Sequence, residues 1–445
     1  MQSRRPPALH RLGPRIPAHL AAGLVALVVL ACGRGADVLP PPTGDRVLLI
    51  GIDAATWTVM RPLIAAGKLP TLGRLVAEGW SGTLRSIEPT VSPAIWTTIA
   101  TGKTPEQHGI RGFIAASADH KEVPVTSNLR RAETLWTIAS RGRRRVNAVG
   151  WYVTWPVEAV NGVMVSDRFV PEDPLGGRVA PRPDAPPRDP SSGDDTAGHP
   201  AVYPATLASN LRRFFVFADD FLDEHERWFH RTFKVYLVDA TRVAIAEHLM
   251  RTAPADLTMV YIWGIDPMQH YFWKYYQPEQ WIGPPVDADS IALNRSVIPD
   301  YYRDVDDLVA RLVAQTGPRD TVLIVSDHGA GPVRTMDEQG GLSGTHRLEG
   351  IIIASGNHVS RGTARSTPSV VDVTPTVLYL LGLPVGRDMV GDVIWELVDP
   401  AFRELYPAKA IPTYETGRAR GSEAPIESAT DEDIRRQLRS LGYIQ

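Results

Sequence analysis

The sequence contains a single cysteine and almost no excess of charge, and each shortage excludes a class of protein. One cysteine among 445 residues cannot form an internal disulfide, so a disulfide-stapled fold is excluded. With 47 basic and 50 acidic side chains, the net charge of -3 indicates no strongly basic surface for nucleic acid. The 43% of hydrophobic residues and 22% of charged residues indicate instead a globular protein with a sizeable core.

The first residues are organised like an export signal. Arginines precede an apolar run over residues 18–31, which is shorter than the ~20 residues that a transmembrane helix needs. The run ends in VLAC, which resembles a bacterial lipoprotein box with Cys32 as the acylated residue. We therefore expect a signal peptide over residues 1–31 and a lipidated Cys32 that begins a tether over residues 32–45. The alternative is an ordinary signal or anchor helix in which Cys32 has no role.

Export is expected under both alternatives. A lipid anchor on Cys32 predicts attachment to a membrane of the bacterial cell envelope, because two or more acyl chains bind a bilayer stably. Gly33 follows the cysteine, where some lipoproteins carry an acidic retention signal. This residue favours the outer membrane and the periplasmic side.

Predicted strands and helices alternate along residues 46–400. Continuous apolar runs, which are typical of strands buried on both faces of a parallel sheet, occur at 47–52, 146–149, 257–262 and 321–325. Helical spacing occurs at 57–66, 237–250 and 301–315. This alternation predicts an α/β fold with a doubly wound, mostly parallel sheet flanked by helices.

Three segments depart from the alternating pattern. Residues 171–200 contain eight prolines and almost no aliphatic side chains, so we predict a mobile insertion there. Residues 201–250 are predicted to form a small helical cap beside the sheet. Residues 401–445 are predicted to form a polar C-terminal tail, with a short amphipathic helix beginning near Thr430.

Acidic and histidine residues follow three of the predicted strands. Asp53 ends VLLIGID, Asp327 and His328 stand in VLIVSDHG, and Asp266 and His270 come soon after the strand at 257–262. Ligands of open α/β sheets bind beyond the carboxyl ends of the strands, so these side chains are expected to converge. Oxygen and nitrogen ligands without thiolates suit zinc or manganese.

His346, in GTHRLEGIIIASG, and a hydroxyl-rich turn over residues 89–110 add further candidates. Ser92, Thr97, Thr98 and Thr101 are each a possible nucleophile or helix cap. Taken alone, every one of these residues has an ordinary structural explanation, such as a cap, a salt bridge or a buried histidine with its partners. Taken together, they predict a shared site.

The ordered set of motifs resembles the alkaline phosphatase superfamily, and in particular its type I phosphodiesterase and nucleotide pyrophosphatase branch. The resemblance extends from about Val47 to Val398, without the proline-rich insertion. Its most specific parts are IDAATW, TIATGKTPEQHGI, DPMQH, SDHG and GTHRLEGIIIASG.

This resemblance implies a hydrolase with two divalent metal ions, zinc or else manganese. One ion would be held by Asp266, His270 and His346, and the other by Asp53, Asp327 and His328. Ser92, nine residues before Thr101, would be the nucleophile and would itself bridge to the second ion. The substrate would be a phosphate ester or diester, cleaved through a phospho-serine intermediate.

The chain departs from this family where an asparagine usually helps to bind a phosphoryl oxygen. The matching segment reads HGIRGF and contains Arg111 and Phe113 instead. Arg111 either contacts the phosphate or is a solvated surface charge. The departure leaves the substrate open among nucleotides, lipid headgroups and glycan-linked phosphates. The sequence SPAIW lacks the arginine of the sulfatases, which disfavours sulfatase chemistry.

Three alternative functions remain at this point. The chain could be a phosphomonoesterase or a phospho-group transferase of the same superfamily, or a catalytically silent binding lipoprotein. All the predicted ligand positions are filled, which argues against the silent protein. Aromatic residues at 151–155 and 261–276 either line a substrate pocket or pack the core.

Overall fold

The computed structural model describes residues 44–117, 119–171, 198–217, 230–335, 342–416, 424–428, 430–440 and 442–444. The predicted signal peptide, Cys32, most of the tether and nearly all of the proline-rich insertion lie outside these residues. Among the helices that are described, none combines the length and the apolar character needed to cross a membrane.

A mixed sheet of nine strands forms the centre of the fold, in the order β13-β2-β12-β9-β1-β8-β5-β6-β7. Three two-stranded sheets, β10-β11, β14-β15 and β3-β4, lie outside it. The strands are β1 (Arg46–Ile52), β2 (Trp80–Arg85), β3 (Ile114–Ala116), β4 (Glu122–Pro124), β5 (Val146–Val149), β6 (Gly162–Val165), β7 (Val202–Tyr203), β8 (Leu257–Ile262), β9 (Asp320–Val325), β10 (Gly329–Pro332), β11 (Gly344–Arg347), β12 (Glu349–Gly356), β13 (Gly362–Thr363), β14 (Val385–Gly386) and β15 (Ala410–Ile411).

The α-helices of the described residues connect these strands and cover the sheet. They are α1 (Trp57–Ala65), α2 (Pro70–Glu78), α3 (Ser92–Thr101), α4 (Pro105–His108), α5 (Leu135–Arg141), α6 (Ala208–Leu211), α7 (His230–Thr252), α8 (Ile265–Tyr276), α9 (Ala288–Asn294), α10 (Val297–Val313), α11 (Val373–Leu380), α12 (Pro400–Leu405) and α13 (Asp431–Ser440). The helices predicted near 57–66, 237–250 and 301–315 correspond to α1, α7 and α10.

The five neighbouring strands β9, β1, β8, β5 and β6 all run parallel. Strand β12 runs antiparallel to both β9 and β2, and β7 pairs antiparallel with β6 at the edge. The predicted fold class, a mostly parallel α/β sheet flanked by helices, is therefore confirmed. The four predicted strands agree with the structure to within one residue at each end.

Strand β1 shows how the sheet separates two helical layers. Leu48, Ile50 and Ile52 belong to one core cluster, which also contains side chains of α7 and α10. Alternate residues of a strand point to opposite faces, and Gly51 faces Trp96 of α3 on the other side. A Cβ atom at Gly51 would lie 2.6 Å from the Trp96 ring, so only glycine allows α3 to pack this closely.

Two segments differ from the sequence-based expectation. The predicted cap at 201–250 begins with strand β7, and its long helix α7 packs directly on β5 and β8 as a layer of the sheet. Strand β7 has two residues, which is too short for an alternating pattern to show. The hydroxyl-rich stretch that was expected to be a turn contains helix α3, which has Pro93 in its first turn.

Ser326 connects the end of β9 to two neighbouring segments. Its fully buried hydroxyl donates to the Ala55 carbonyl at 3.0 Å and accepts from the Ile351 amide at 2.7 Å. These bonds fix the backbone directly before Asp327.

We predict that Ser326→Ala lowers the free energy of unfolding by about 1–3 kcal/mol, because a buried amide and carbonyl lose their partner. Urea denaturation monitored by tryptophan fluorescence measures the change. Thr363→Ala, on the exposed strand β13, is the control and should stay within about 0.5 kcal/mol of the wild type. Equal stability of Ser326→Ala and wild type would contradict this role.

Candidate active site

The predicted ligand side chains converge at the carboxyl ends of β1, β8 and β9. Asp53 directly follows β1, Asp327 and His328 lie between β9 and β10, and Asp266 is in the first turn of α8, after β8. All four side chains are almost completely buried. They form two neighbouring groups, which we call the Asp53 group (Asp53, Asp327 and His328) and the Asp266 group (Asp266, His270 and His346).

In the Asp53 group, two carboxylates face one imidazole. The Nε2 atom of His328 lies 3.4 Å from Oδ1 of Asp53 and 3.4 Å from Oδ2 of Asp327. The Ser92 hydroxyl lies 3.3 Å from the same Nε2 atom. One nitrogen, two carboxylate oxygens and one hydroxyl thus point at a common centre.

In the Asp266 group, one carboxylate faces two imidazoles. Oδ1 of Asp266 lies 3.2 Å from Nε2 of His270 and 3.4 Å from Nε2 of His346. Asp266 and His270 are four residues apart on α8 and share its face, whereas His346 comes from β11. The two groups adjoin, because the rings of His328 and His346 stack with centroids 3.8 Å apart.

Backbone carbonyls orient all three histidines. The Nδ1 atom of His270 lies 2.8 Å from Gly344 O, that of His346 lies 2.8 Å from Thr90 O, and that of His328 lies 3.0 Å from Gly329 O. A carbonyl can only accept, so each Nδ1 carries the proton and each Nε2 can offer a lone pair. In this tautomer Nε2 is the nitrogen that can bind a metal ion.

Two observations indicate that the site is built for a cation. The Nε2 atoms of His270 and His346 are only 2.9 Å apart, and their lone pairs can face each other at this distance only with a proton or a cation between them. In addition, Oδ1 of Asp53 and Oδ2 of Asp327 are buried and have no hydrogen-bond partner among the described residues. The ligand atoms of Asp53, Asp327 and His328 lie within 4.8 Å of one another, and so do those of Asp266, His346 and His328.

The carboxylates of the two groups differ in their acidity. Burial, and then the charges of Asp327 and Asp266, raise the pKa of Asp53 well above its ordinary value. Burial is also the largest cause that raises the pKa of Asp327 to about 7. Burial by itself would raise the pKa of Asp266, but the charges and hydrogen bonds of His270 and His346 outweigh it and hold that pKa well below its ordinary value.

Local structure brings each segment into place. Asp239 of α7 accepts the Trp263 and Gly264 amides at 2.9 and 2.8 Å, which fixes the start of α8 directly before Asp266. A Cβ atom at Gly329 would lie 2.1 Å from the Glu349 carbonyl oxygen, so the glycine of SDHG lets the chain pass β12. Ser92 is the first residue of α3, and the carbonyl of nearby Thr90 binds His346.

Three aromatic residues of the site were not among the predicted site residues. Trp96 Nε1 and the Tyr261 hydroxyl donate to Oδ2 of Asp53 at 3.3 and 2.5 Å. The Tyr443 hydroxyl, near the C-terminus, donates to Oδ2 of Asp266. Tyr261 belongs to the aromatic residues that the sequence placed near the site, whereas a single tyrosine in a polar tail carries no signal of its own.

The structure places Arg111 and Phe113 differently. The Arg111 side chain is exposed, and among the described residues it takes no part in the hydrogen bonds of the two groups, so phosphate binding by Arg111 stays a prediction. Phe113 is buried, and its ring stacks on the ring of Tyr443 with centroids 4.5 Å apart and an angle of 7°. One residue of the segment that lacks the expected asparagine therefore supports Tyr443 of the C-terminal tail.

Residues 47–379 match the family model described as type I phosphodiesterase / nucleotide pyrophosphatase. The chain belongs to this family. The match begins at β1 and covers the strands that carry both ligand groups, which confirms the family resemblance seen in the motifs. The chain is therefore a phosphoryl hydrolase of the phosphodiesterase and pyrophosphatase type.

Solved structures with similar folds include human ectonucleotide pyrophosphatase/phosphodiesterase 5, with 13% identity and a TM-score of 0.49 over 80% of this chain and 100% of that chain. Phosphonoacetate hydrolase from Sinorhizobium meliloti 1021, in complex with phosphonoformate, shares 17% identity with a TM-score of 0.38, over 67% of this chain and 60% of that chain. Alkaline phosphatase PafA shares 12% identity with a TM-score of 0.47, over 81% of this chain and 99% of that chain. The comparison with curated proteins gives no match. The family assignment rests on the matched range 47–379.

We predict that zinc stabilises the fold and that EDTA reverses the effect. An ion bound only by the folded chain at 100 times its Kd adds about 2.7 kcal/mol, which corresponds to a rise of roughly 3 °C in Tm for a chain of this length. Differential scanning calorimetry with and without zinc measures the shift. An unchanged Tm at millimolar zinc would contradict a cation site.

The variant Asp53→Asn separates charge repulsion from metal binding. Because the folded chain raises the pKa of Asp53, its ionised carboxylate destabilises the metal-free protein at neutral pH, so the variant should have a higher Tm in EDTA. The rise of its Tm on addition of zinc should also be smaller than in the wild type. The control Asp289→Asn, on the exposed side of α9, should change neither the Tm in EDTA nor the rise with zinc.

Proposed function

We propose that the chain is a phosphodiesterase that uses two divalent ions, zinc or else manganese, and the Ser92 hydroxyl as nucleophile. One ion would be held by the Asp266 group and the other by the Asp53 group together with Ser92. The substrate would be a small phosphate diester or ester, such as a nucleotide, a lipid headgroup or a glycan-linked phosphate. The reaction would pass through a phospho-serine intermediate that water hydrolyses.

One observation carries this proposal. The Ser92 hydroxyl, the His328 Nε2 atom and the two carboxylate oxygens that lack partners meet at one buried point at the first turn of α3. A serine hydroxyl is a weak nucleophile unless a neighbouring group or ion favours its alkoxide. Among the described residues, Oδ1 of Asp388 is also buried without a partner, but that carboxylate is paired with Lys103, whose Nζ atom lies 2.6 Å from Oδ2.

The bound ions would supply Lewis acidity, which favours the Ser92 alkoxide and offsets the charge of the phosphoryl oxygens. The chain itself positions the groups. Ser92 begins the ten-residue helix α3, whose N-terminus favours negative charge on the nucleophile and on the phosphate that it accepts. Pro93 follows Ser92 and suits this first turn.

An open cavity of about 520 Å³ lies beside the site and gives a substrate room to approach. It is lined by Glu88, Pro89, Thr90, His346, Arg347 and Leu348. Its volume falls within the range of small-molecule pockets, roughly 300–1,000 Å³. Since His346 belongs both to this cavity and to the Asp266 group, a diester bound there would have one arm in the cavity and its phosphorus near Ser92.

Hydrolysis assays with two model esters test the function. We expect the full-length chain loaded with zinc or manganese to cleave bis-p-nitrophenyl phosphate faster than p-nitrophenyl phosphate. Ser92→Ala should lower kcat by about 10³-fold or more, because it removes the nucleophile. Thr97→Ala, which removes another buried hydroxyl of α3, is the matched control and should stay within a few-fold of wild type.

The outcomes separate the remaining alternatives. Faster cleavage of the monoester would make the chain a phosphomonoesterase. Binding of metal without cleavage of either ester would favour a transferase that needs another acceptor, or a silent binding protein. Wild-type rates in Ser92→Ala would remove Ser92 from the chemistry.

We also propose that the protein is exported and anchored to the bacterial cell envelope through acylated Cys32, on the outer-membrane and periplasmic side. The motif VLAC and the basic and apolar segments before it support this proposal. Cells that express the full-length chain should incorporate labelled palmitate into it and release it from membranes only with detergent. In Cys32→Ala, incorporation of the label should disappear; a variant labelled as strongly as the wild type would exclude this anchor.

A further inference from the structure

The C-terminal segment returns to the candidate site through a series of specific contacts. We call residues 424–444, of which 424–428, 430–440 and 442–444 are described, the C-terminal strap. Asn128 donates to the Ala424 carbonyl at 2.9 Å, and the Ile426 amide donates to the Thr126 hydroxyl at 3.2 Å. The strap thus docks beside the loop that follows β4.

A largely buried ion pair fixes the start of α13. Arg168 Nη1 lies 3.0 Å from Oδ1 of Asp431 and 2.9 Å from the Ser428 hydroxyl, and both charged side chains are only 10% exposed. The Arg168 guanidinium also lies 4.3 Å from the ring centre of Trp155. Because both side chains are almost shielded from water, this charge-assisted hydrogen bond is stronger than an ion pair at the surface.

The end of α13 directs Tyr443 toward the site. Gly442 adopts a φ of +72°, and the Gly442 and Tyr443 amides donate to the Arg439 and Leu438 carbonyls, each at 3.0 Å. This is the Schellman arrangement that ends helices and reverses the chain. The Tyr443 ring then stacks on Phe113 and lies 5.5 Å from the ring of His270.

The Tyr443 hydroxyl and the two histidines bind opposite oxygens of Asp266. Oδ1 faces His270 and His346, while Oδ2 accepts from Tyr443. Asp53 is arranged in the same way, because its Oδ1 faces His328 and its Oδ2 accepts from Trp96 and Tyr261. In each group an aromatic donor holds one oxygen and leaves the other for an ion.

We propose that Tyr443 is a positioning residue for the Asp266 group, so that the last turn of the chain completes the metal site. This inference rests on the proposed function, since it assigns a role in holding one of the two ions. Fixing the unused oxygen of a ligating carboxylate limits its rotation and keeps Oδ1 directed at the two imidazoles. The strap is therefore part of the proposed site.

Zinc titration of the full-length chain in detergent, in competition with a chromophoric chelator, tests the role. Tyr443→Phe keeps the ring on Phe113 and loses only the hydroxyl. We expect the affinity for one zinc ion to fall by about 10- to 100-fold, while the affinity for the other ion stays unchanged and the Tm of the metal-free chain falls no further than in the Tyr414→Phe control. Asp431→Asn, which weakens the strap at its other end, should weaken the same ion.

Tyr414→Phe is the matched control. Tyr414 is also buried in the C-terminal part of the chain, and its hydroxyl donates to the Pro384 carbonyl at 2.6 Å. Its loss should lower the Tm and leave both zinc affinities unchanged.

Three results would overturn the inference. Wild-type affinity for both ions in Tyr443→Phe would leave Tyr443 without a role at the metal. A faster turnover in Tyr443→Phe with unchanged zinc affinity would make the strap an inhibitory plug. If the wild-type chain bound no zinc, the proposed function would fail first and this inference with it, so the two failures are distinguishable.

Discussion

The structure depends on placing three carboxylates, Asp53, Asp266 and Asp327, out of water at one edge of a sheet. Buried charges of the same sign destabilise a fold unless they are protonated or paired. The surrounding elements limit this destabilisation by fixing one oxygen of each carboxylate. Asp53 binds Trp96 and Tyr261, Asp327 accepts the Ala54 amide at 3.3 Å, and Asp266 binds Tyr443. The oxygens that remain point at imidazoles whose protons are held on the far side.

The sequence predicted much of this arrangement, because parallel strands bring their carboxyl ends together. The runs that end at Asp53 and Asp327 are strongly apolar, so their strands could be recognised without a structure. His346 was added from the family motif that contains it, because no hydrophobic periodicity indicated its place in the site. The antiparallel strand β12 was not predicted as a strand, although its residues were noticed as a motif.

The rest could not be predicted, because it depends on contacts between distant segments. Trp96 reaches Asp53 only because α3 packs over Gly51, and Tyr443 reaches Asp266 across 177 positions of sequence. A tyrosine near the end of a polar tail has no neighbours in sequence that reveal its partner. Phe113 likewise appeared as a departure from the family, whereas the structure shows it supporting Tyr443.

The composition of the two groups indicates different tasks under the proposed function. The Asp53 group has two carboxylates with one neutral imidazole, so a divalent ion there would leave no net charge before Ser92 ionises. The Asp266 group has one carboxylate with two imidazoles, so the same ion would leave one positive charge. Burial, and then the charges of Asp327 and Asp266, raise the pKa of Asp53, whereas the two imidazoles outweigh burial and lower the pKa of Asp266. The Asp53 group is thus suited to balance the alkoxide, and the Asp266 group to attract the anionic phosphate. Under this proposal, Asp266 must keep one oxygen on an ion while a charged substrate enters and leaves. The hydrogen bond from Tyr443 fixes its second oxygen and so limits rotation of the carboxylate.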